Sequence, residues 1–328
     1  APHSLTRGHG RKVIFDPTTH YWYTIWLDGT AASAVYRYSP DGSTWLTPPT
    51  PVLQTTTGTD GLTATKVIRV GTDLYATFRN NVPGPPSEYW LRKLTPTPTG
   101  PLTVGSPMRL WHDSFGPAGD IHFYGGVMHD SAGYFWVNAM VRDGAGSGSG
   151  CPGTPGNCTR HAIIRSTNPN DITRWGDDNI GGVGSCDATT FPVDGDCNSE
   201  WQELTPASSG SPSSTIYGDG ETGGILMDLG AKGDGIIAYS KQAGSVGTNT
   251  ARILWSINPT RATNGWAPWI SLTANANQCQ SNGTAGCDST CSDDRRFASV
   301  IDPATGIIHV VFINRDTAAT DNADIKYF

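Results

Sequence analysis

Lys12-Val13-Ile14-Phe15-Asp16-Pro17-Thr18-Thr19-His20-Tyr21-Trp22-Tyr23-Thr24-Ile25-Trp26-Leu27-Asp28 reads as two runs of β-branched and aromatic residues around a polar turn. Such residues favour extended chain, and Pro17 with the hydroxyl residues after it ends the first run. The stretch is a strand–turn–strand hairpin. Its pattern recurs without its letters. Ala64 to Val70 turns at Gly71-Thr72-Asp73 into Leu74 to Asn80, and Gly125 to Asp130 turns at Ser131-Ala132-Gly133 into Tyr134 to Asp143. Gly223 to Leu229 turns through Gly230 to Gly235 into Ile236 to Lys241, and Phe297 to Asp302 turns at Pro303 to Gly306 into Ile307 to Asp316.

A third run follows each hairpin, at Ala34 to Ser39, Glu88 to Leu94, His161 to Ser166, Arg252 to Ser256 and Asp324 to Phe328. The first four units add a weaker fourth run, such as Met108-Arg109-Leu110 or Trp269 to Leu272. A four-stranded meander repeated five times describes an all-β chain folded as a five-bladed β-propeller, with blades over roughly 12–54, 61–112, 119–208, 219–274 and 294–328. The last unit stops at its third strand, and an unpaired edge is a liability. The N-terminal segment around Ser4 to Thr6 is therefore expected to supply the missing outer strand and close the ring. Pairing of that segment with a neighbouring subunit, giving a homo-oligomer or filament, is the alternative.

The bulk numbers agree with short strands and tight turns. Hydrophobic residues make up 37% and charged residues 16%, while Gly 40 and Pro 23 are high. A net charge of −7 without a Lys/Arg run excludes a nucleic-acid partner, which needs clustered cations. No window approaches the ~20 apolar residues of a membrane span. The Ala1-Pro2-His3 start is compatible with a leader already removed.

All seven cysteines lie in Gly/Ser/Asp-rich stretches between Cys151 and Cys291. Cys151 with Cys158 and Cys186 with Cys197 are natural local pairs, and Cys279, Cys287 and Cys291 leave one odd thiol. Loop disulfides imply an oxidising, secreted setting. Zinc is the rival reading, but no Cys-x-x-Cys pair occurs. Asn157-Cys158-Thr159 and Asn282-Gly283-Thr284 fit the N-glycosylation pattern at Asn157 and Asn282, and the 144–198 stretch is expected to be a disulfide-containing insertion.

Ser39-Pro40-Asp41-Gly42-Ser43-Thr44-Trp45 stands between the third and fourth runs of the first unit. It resembles the Asp-box of sialidase-like (BNR-repeat) propellers. Degenerate echoes keep Ser and Trp at Ser166-Thr167-Asn168-Pro169 before Trp175, and at Ser256-Ile257-Asn258-Pro259 before Trp266, with Asn in place of Asp. The resemblance implies a folding element on the face opposite the binding site. A weaker similarity to five-bladed glycosidases of the arabinanase and fructosidase type implies a catalytic Asp at the first inner strand. Gly8-His9-Gly10-Arg11-Lys12 offers none there.

In a propeller, entrances to first strands and exits from second strands open on one face. The entrances carry His9 and Arg11, Asp60, Asp120 and His122, Asp219 and Glu221, and Asp293 to Arg296. The exits carry Asp28, Arg79 and Asn80, Arg142 and Asp143, Lys241, and Arg315 and Asp316. Glycoside hydrolysis needs one carboxylic acid to protonate the leaving oxygen and a second carboxylate as base or nucleophile. Asp60, Asp120, Asp219 and Glu221 are the candidates, with His122 as a proton carrier. Arg79, Arg142, Arg295 and Arg315 are candidates to grip a substrate carboxylate, and Arg outnumbers Lys 16 to 6. No cofactor is expected; Asp288 to Asp294 offers oxygen ligands for Ca²⁺ but not the spacing of a known loop. The expected function is a secreted glycoside hydrolase or lyase acting on extracellular glycans. The alternative is a non-catalytic propeller that binds glycan or a cell-surface protein, or assembles with itself.

Overall fold

A computed structural model describes residues 13–28, 33–55, 63–80, 88–112, 121–123, 126–142, 159–176, 186–187, 202–204, 225–228, 235–242, 252–262, 265–267, 270–271, 297–302, 305, 307–315 and 323–327. Regular structure among these residues is entirely β-strand, and every pairing is antiparallel. The first sheet holds β1 (Val13–Asp16), β2 (Tyr21–Asp28), β3 (Ser33–Ser39) and β4 (Val52–Thr55) in chain order. The second holds β5 (Thr63–Val70), β6 (Asp73–Asn80), β7 (Glu88–Pro96) and β8 (Leu102–Val104), with β9 (Met108–His112) also on β7. The third is built from β10 (Ile121–Phe123) and β11 (Val127–His129), both on β12 (Phe135–Arg142), followed by β13 (Thr159–Arg165). After a small ladder of β14 (Arg174–Trp175) and β15 (Cys186–Asp187), β16 (Gln202–Leu204) completes that third sheet. The fourth comprises β17 (Ile225–Asp228), β18 (Ile236–Gln242), β19 (Arg252–Asn258) and β20 (Ile270–Ser271). The fifth comprises β21 (Phe297–Ile301), β22 (Ile308–Arg315) and β23 (Ala323–Tyr327).

Two details depart from the pattern read in the sequence. The outer strand of the second sheet is divided, with β8 pairing the C-terminal end of β7 and β9 its N-terminal half. Gly105 sits at the division, donating its N–H to the Lys93 carbonyl at 2.9 Å, where an added Cβ would meet that same oxygen at 3.0 Å. The first strand of the third sheet is broken between β10 and β11. Within 144–198, β13 falls where the third run of that unit was read and bonds β12 along its full length.

The sheets stack face to face in chain order, which explains why their second strands read as nearly continuous apolar runs. In β6, Leu74, Ala76 and Phe78 join Tyr23, Ile25, Tyr36 and Leu53 of the first sheet. On the other face Tyr75 joins Phe135, Val137 and Ile164 of the third and Trp175 of the small ladder, with the Tyr75 ring 4.6 Å from Phe135. Trp136, Met128 and Ile163 then carry the third sheet onto Ile236 of the fourth, with Trp266 edge-on to Trp136 at 5.8 Å. First strands are neighbours throughout: β5 lies against β1, β11 against β5, β17 against β11 and β21 against β17. Val13, Phe15, Trp22 and Val52 leave the outer face of the first sheet exposed and apolar.

An aspartate stands at or just past the end of four first strands, at Asp16, Asp130, Asp228 and Asp302. Asp16 accepts from the Thr18 and Thr19 N–H groups and the Thr19 hydroxyl, and pairs across the seam with Arg69 at 3.1 Å. Asp130 and Asp228 are joined across the next-but-one seam by Arg261. The second hairpin lacks this aspartate and turns instead through Gly71, at φ +60.

Burial raises the pKa of Asp16, but the Thr19 hydroxyl, the two turn N–H groups and the Arg69 guanidinium outweigh it and hold the carboxyl below 3.8. A carboxylate lowered by folding stabilises above its unfolded pKa and loses that contribution as pH falls through the folded value. The melting-temperature gap between the wild type and Asp16→Asn should therefore be constant from pH 7 to about 5 and shrink below about pH 4. A gap independent of pH in a thermal melt series would show that the charge of Asp16 is not what the seam uses.

Candidate functional site

Asp16 at the end of β1 bonds Arg69 near the end of β5, and Ser131, just past β11, donates its N–H at 2.6 Å to Asp228 at the end of β17. Tyr75 and Phe135, near the starts of β6 and β12, touch across the intervening seam. The hairpin turns of the first four sheets thus share one rim, and strand entrances and exits share the other. On that second rim β2 ends at Asp28, β6 at Asn80, β12 at Arg142 and β18 at Gln242. Arg79 is next to last in β6 opposite Thr63, Arg142 is last in β12 opposite Thr159, and Arg315 is last in β22 opposite Ala323. His122 lies inside β10 beside the end of β12.

Asp60, Asp120, Asp219, Glu221 and Arg295 lie outside the described residues, as do His9, Arg11 and Asp293 to Arg296. The same holds for Cys151, Cys158, Cys197, Cys279, Cys287 and Cys291 and for Asn157 and Asn282. Cys186 is in β15, opposite Trp175. Among the described residues no three His, Cys, Asp or Glu side chains gather as metal ligands.

Of four register slips near the second rim among the described residues, two fall in first strands, and the sequence reading missed both. Register slips between Ala64 and Lys66 in β5, leaving Thr65 as the extra residue, and between Ile121 and Phe123 in β10, leaving His122. A bulge bends its strand and re-aims the extra side chain, and bulges concentrate beside functional sites. The visible trace is Thr63-Ala64-Thr65-Lys66, where alternation fails just before the apolar run. Between these strands the buried Asn138 of β12 mends the gap ahead of β11. Its side-chain oxygen accepts the Gly126 N–H at 2.9 Å, and its own N–H donates to the Gly126 carbonyl at 3.1 Å.

The opposite rim is closed by scaffold. Ser39 pairs with Trp22, which puts the loop after β3 at the hairpin end. There Asp41 accepts from the Thr44 N–H at 2.6 Å and the Ser43 N–H at 2.8 Å, as well as from the Ser39 hydroxyl. Those bonds, the Thr44 one foremost, hold its carboxyl well below the usual carboxylate range. Gly42 takes φ +75 beneath the Trp22 ring. The loop after β13 is built alike, with one correction to the reading of Asn168 as the stand-in for aspartate. Asp171 takes that part, accepting from the Thr173 N–H at 2.8 Å and its hydroxyl at 2.7 Å. Ser39, Ser166 and Ser256 are all buried where these loops begin.

No family model matches this sequence, and no curated protein matches it. Among solved structures the chain is similar to a thermostable family-43 glycoside hydrolase, with 10% identity over 99% of this chain and 92% of that one at a TM-score of 0.44. It is also similar to an endo-arabinase from Bacteroides thetaiotaomicron, with 12% identity over 99% and 95% at 0.38. A polysaccharide lyase, ulvan lyase, bound to a glucuronate–sulfated rhamnose unit, shares 12% identity over 96% of this chain and 63% of its own at 0.45.

Proposed function

We propose that the five stacked meanders form one β-propeller ring and that the chain is an extracellular carbohydrate-active protein, a glycoside hydrolase or lyase. One observation carries the reading. Hairpin turns tied together on one rim send the strand entrances and exits to the other, which is where the sequence concentrates its carboxylates and guanidiniums. Asp60, Asp120, Asp219 and Glu221 supply the acid and base, His122 moves a proton, and Arg79, Arg142, Arg295 and Arg315 hold the substrate. Closure of that ring brings the last sheet round to the first, with the N-terminal segment as its closing strand. The loop Ser39 to Trp45 is an Asp-box that braces the rim away from the substrate. Cysteines clustered in polar loops support secretion.

Asp120→Asn, Asp219→Asn and Glu221→Gln, each assayed for turnover against a panel of plant, algal and microbial polysaccharides, test it. At least two variants should lose about 100-fold or more in rate with unchanged melting temperature. Binding without turnover by the wild type would replace the enzyme with a glycan-binding propeller.

A further inference from the structure

The second and third sheets each present one face to the sheet before them, and there the second strand is shut in. Leu74, Ala76 and Phe78 of β6 are fully buried against the first sheet, and Phe135 and Val137 of β12 against the second. Trp22, Thr24 and Trp26 hold those places in β2, on the face opposite to Tyr23 and Ile25. That face is open. Trp22 is 37% exposed and Phe15, its partner in β1, is 36% exposed, with the two rings 4.8 Å apart. Arg37 of β3 stands opposite Thr24, as Arg92 of β7 stands opposite Ala76. Arg92 donates across its seam to the Gln54 side-chain oxygen at 2.7 Å. Arg37 is exposed and lies 5.4 Å from the centre of the Trp26 ring, and among the described residues no carboxylate pairs with it. Two indoles, a phenyl ring and a guanidinium without a counter-ion thus line one strip of sheet.

We propose that this strip is a second glycan-binding surface, apart from the mouth, and that it takes a polysaccharide chain bearing carboxylates. The inference rests on the chain being a carbohydrate-active propeller, and on that reading the last seam of the ring is a cleft. Aromatic rings offer flat apolar surface to the C–H faces of sugar rings. A guanidinium stacked on an indole keeps its N–H fork for a carboxylate. The charge is complementary, because from Trp22 to Trp26 the strip carries one cation and no carboxylate on a protein of net charge −7. A protein partner fits it poorly. Phe15 and Trp22 are already almost two-thirds covered, so the strip offers far less than the ~800 Å² that each side of a specific protein interface buries. Trp22 and Trp26 lie four residues apart on β2, about 13 Å, and Asp28 at the second rim is two residues further. A chain lying along β2 therefore runs from the hairpin rim toward the mouth, so a long polymer is held twice.

Affinity electrophoresis of the full chain, in gels cast with polygalacturonate, alginate, arabinan or xylan, tests the proposal. Wild type should bind at least one acidic polymer more tightly than the neutral ones. Trp22→Ala should weaken that binding about fivefold or more. Arg37→Gln should weaken it about fivefold while leaving any binding to the neutral polymers within twofold, and Arg37→Lys should fall between. Both sites are exposed, so wild-type melting temperatures are expected. Unchanged polymer binding in Trp22→Ala and Arg37→Gln, while Arg79→Gln and Arg142→Gln weaken it, overturns the strip and leaves the mouth standing. Equal wild-type binding to acidic and neutral polymers overturns the acidic class. A concentration-dependent dimer in gel filtration that Trp22→Ala dissolves gives the face to a second copy and overturns the glycan surface. Wild-type binding to none of these polymers, nor to the polysaccharide panel, overturns the carbohydrate reading along with it.

Discussion

Replacing Asp130 by alanine should destabilise the fold by about 3–5 kcal/mol, read as a fall in the urea midpoint and melting temperature. The carboxylate is buried, and one oxygen accepts the Ala132 and Tyr134 N–H groups at 2.9 and 2.8 Å. The other accepts the Trp136 indole N–H at 2.8 Å and faces the Arg261 guanidinium at 3.5 Å. Alanine leaves these donors without their shared acceptor in a site that water does not reach, and each loss is then felt at its desolvation cost. Arg261 would keep Asp228 at 2.8 Å, which is why the loss stays short of an unpaired buried cation. Asp130→Asn retains one acceptor oxygen and should cost less, about 1–2 kcal/mol. A loss below 1 kcal/mol for the alanine variant would mean that the hairpin turn and the seam stand without it.

The hairpins were legible because each is local. Val-Ile-Phe-Asp followed by Pro-Thr-Thr-His needs no distant residue to declare a strand and a turn. What joins one sheet to the next was not legible. Arg69 reaching Asp16, or Arg261 reaching Asp130 and Asp228, are pairings between units, and no short-range pattern encodes them. Aspartate recurring after Ile14-Phe15, Met128-His129, Leu226-Met227 and Val300-Ile301 was on view in the letters, yet turn chemistry alone accounts for Asp there, so the seam role stayed hidden. Asp171 was missed for a similar reason. The turn after β13 carries three further residues before its aspartate, so matching by offset selected Asn168. At the mouth, the exits were readable from where second strands end. The bulges at Thr65 and His122 were not, because an extra residue shows only once the partner strand is set in register.

Trp175→Ala should destabilise by about 3–5 kcal/mol, the usual range for removing a large core aromatic. Its position in the chain argues otherwise at first sight, since residues 144–198 read as a disulfide-containing insertion. The structure puts Trp175 inside. Its side chain is fully buried in the cluster of Tyr75, Leu91, Phe135 and Ile164, so one seam of the stack is built in part from this stretch. The indole N–H donates to the Ile172 carbonyl at 2.8 Å, and the Thr167 N–H donates to the Arg174 carbonyl at 2.9 Å, which locks the loop around the ring. A lid residue could be truncated with unchanged stability and altered turnover. Trp175 should show the reverse, with the midpoint falling while per-molecule activity of the folded fraction holds, and Trp175→Phe should restore part of the loss by refilling the seam. Alanine at Trp175 with an unshifted unfolding midpoint would leave the stretch as an insertion outside the core and remove this wedge from the contact between second and third sheets.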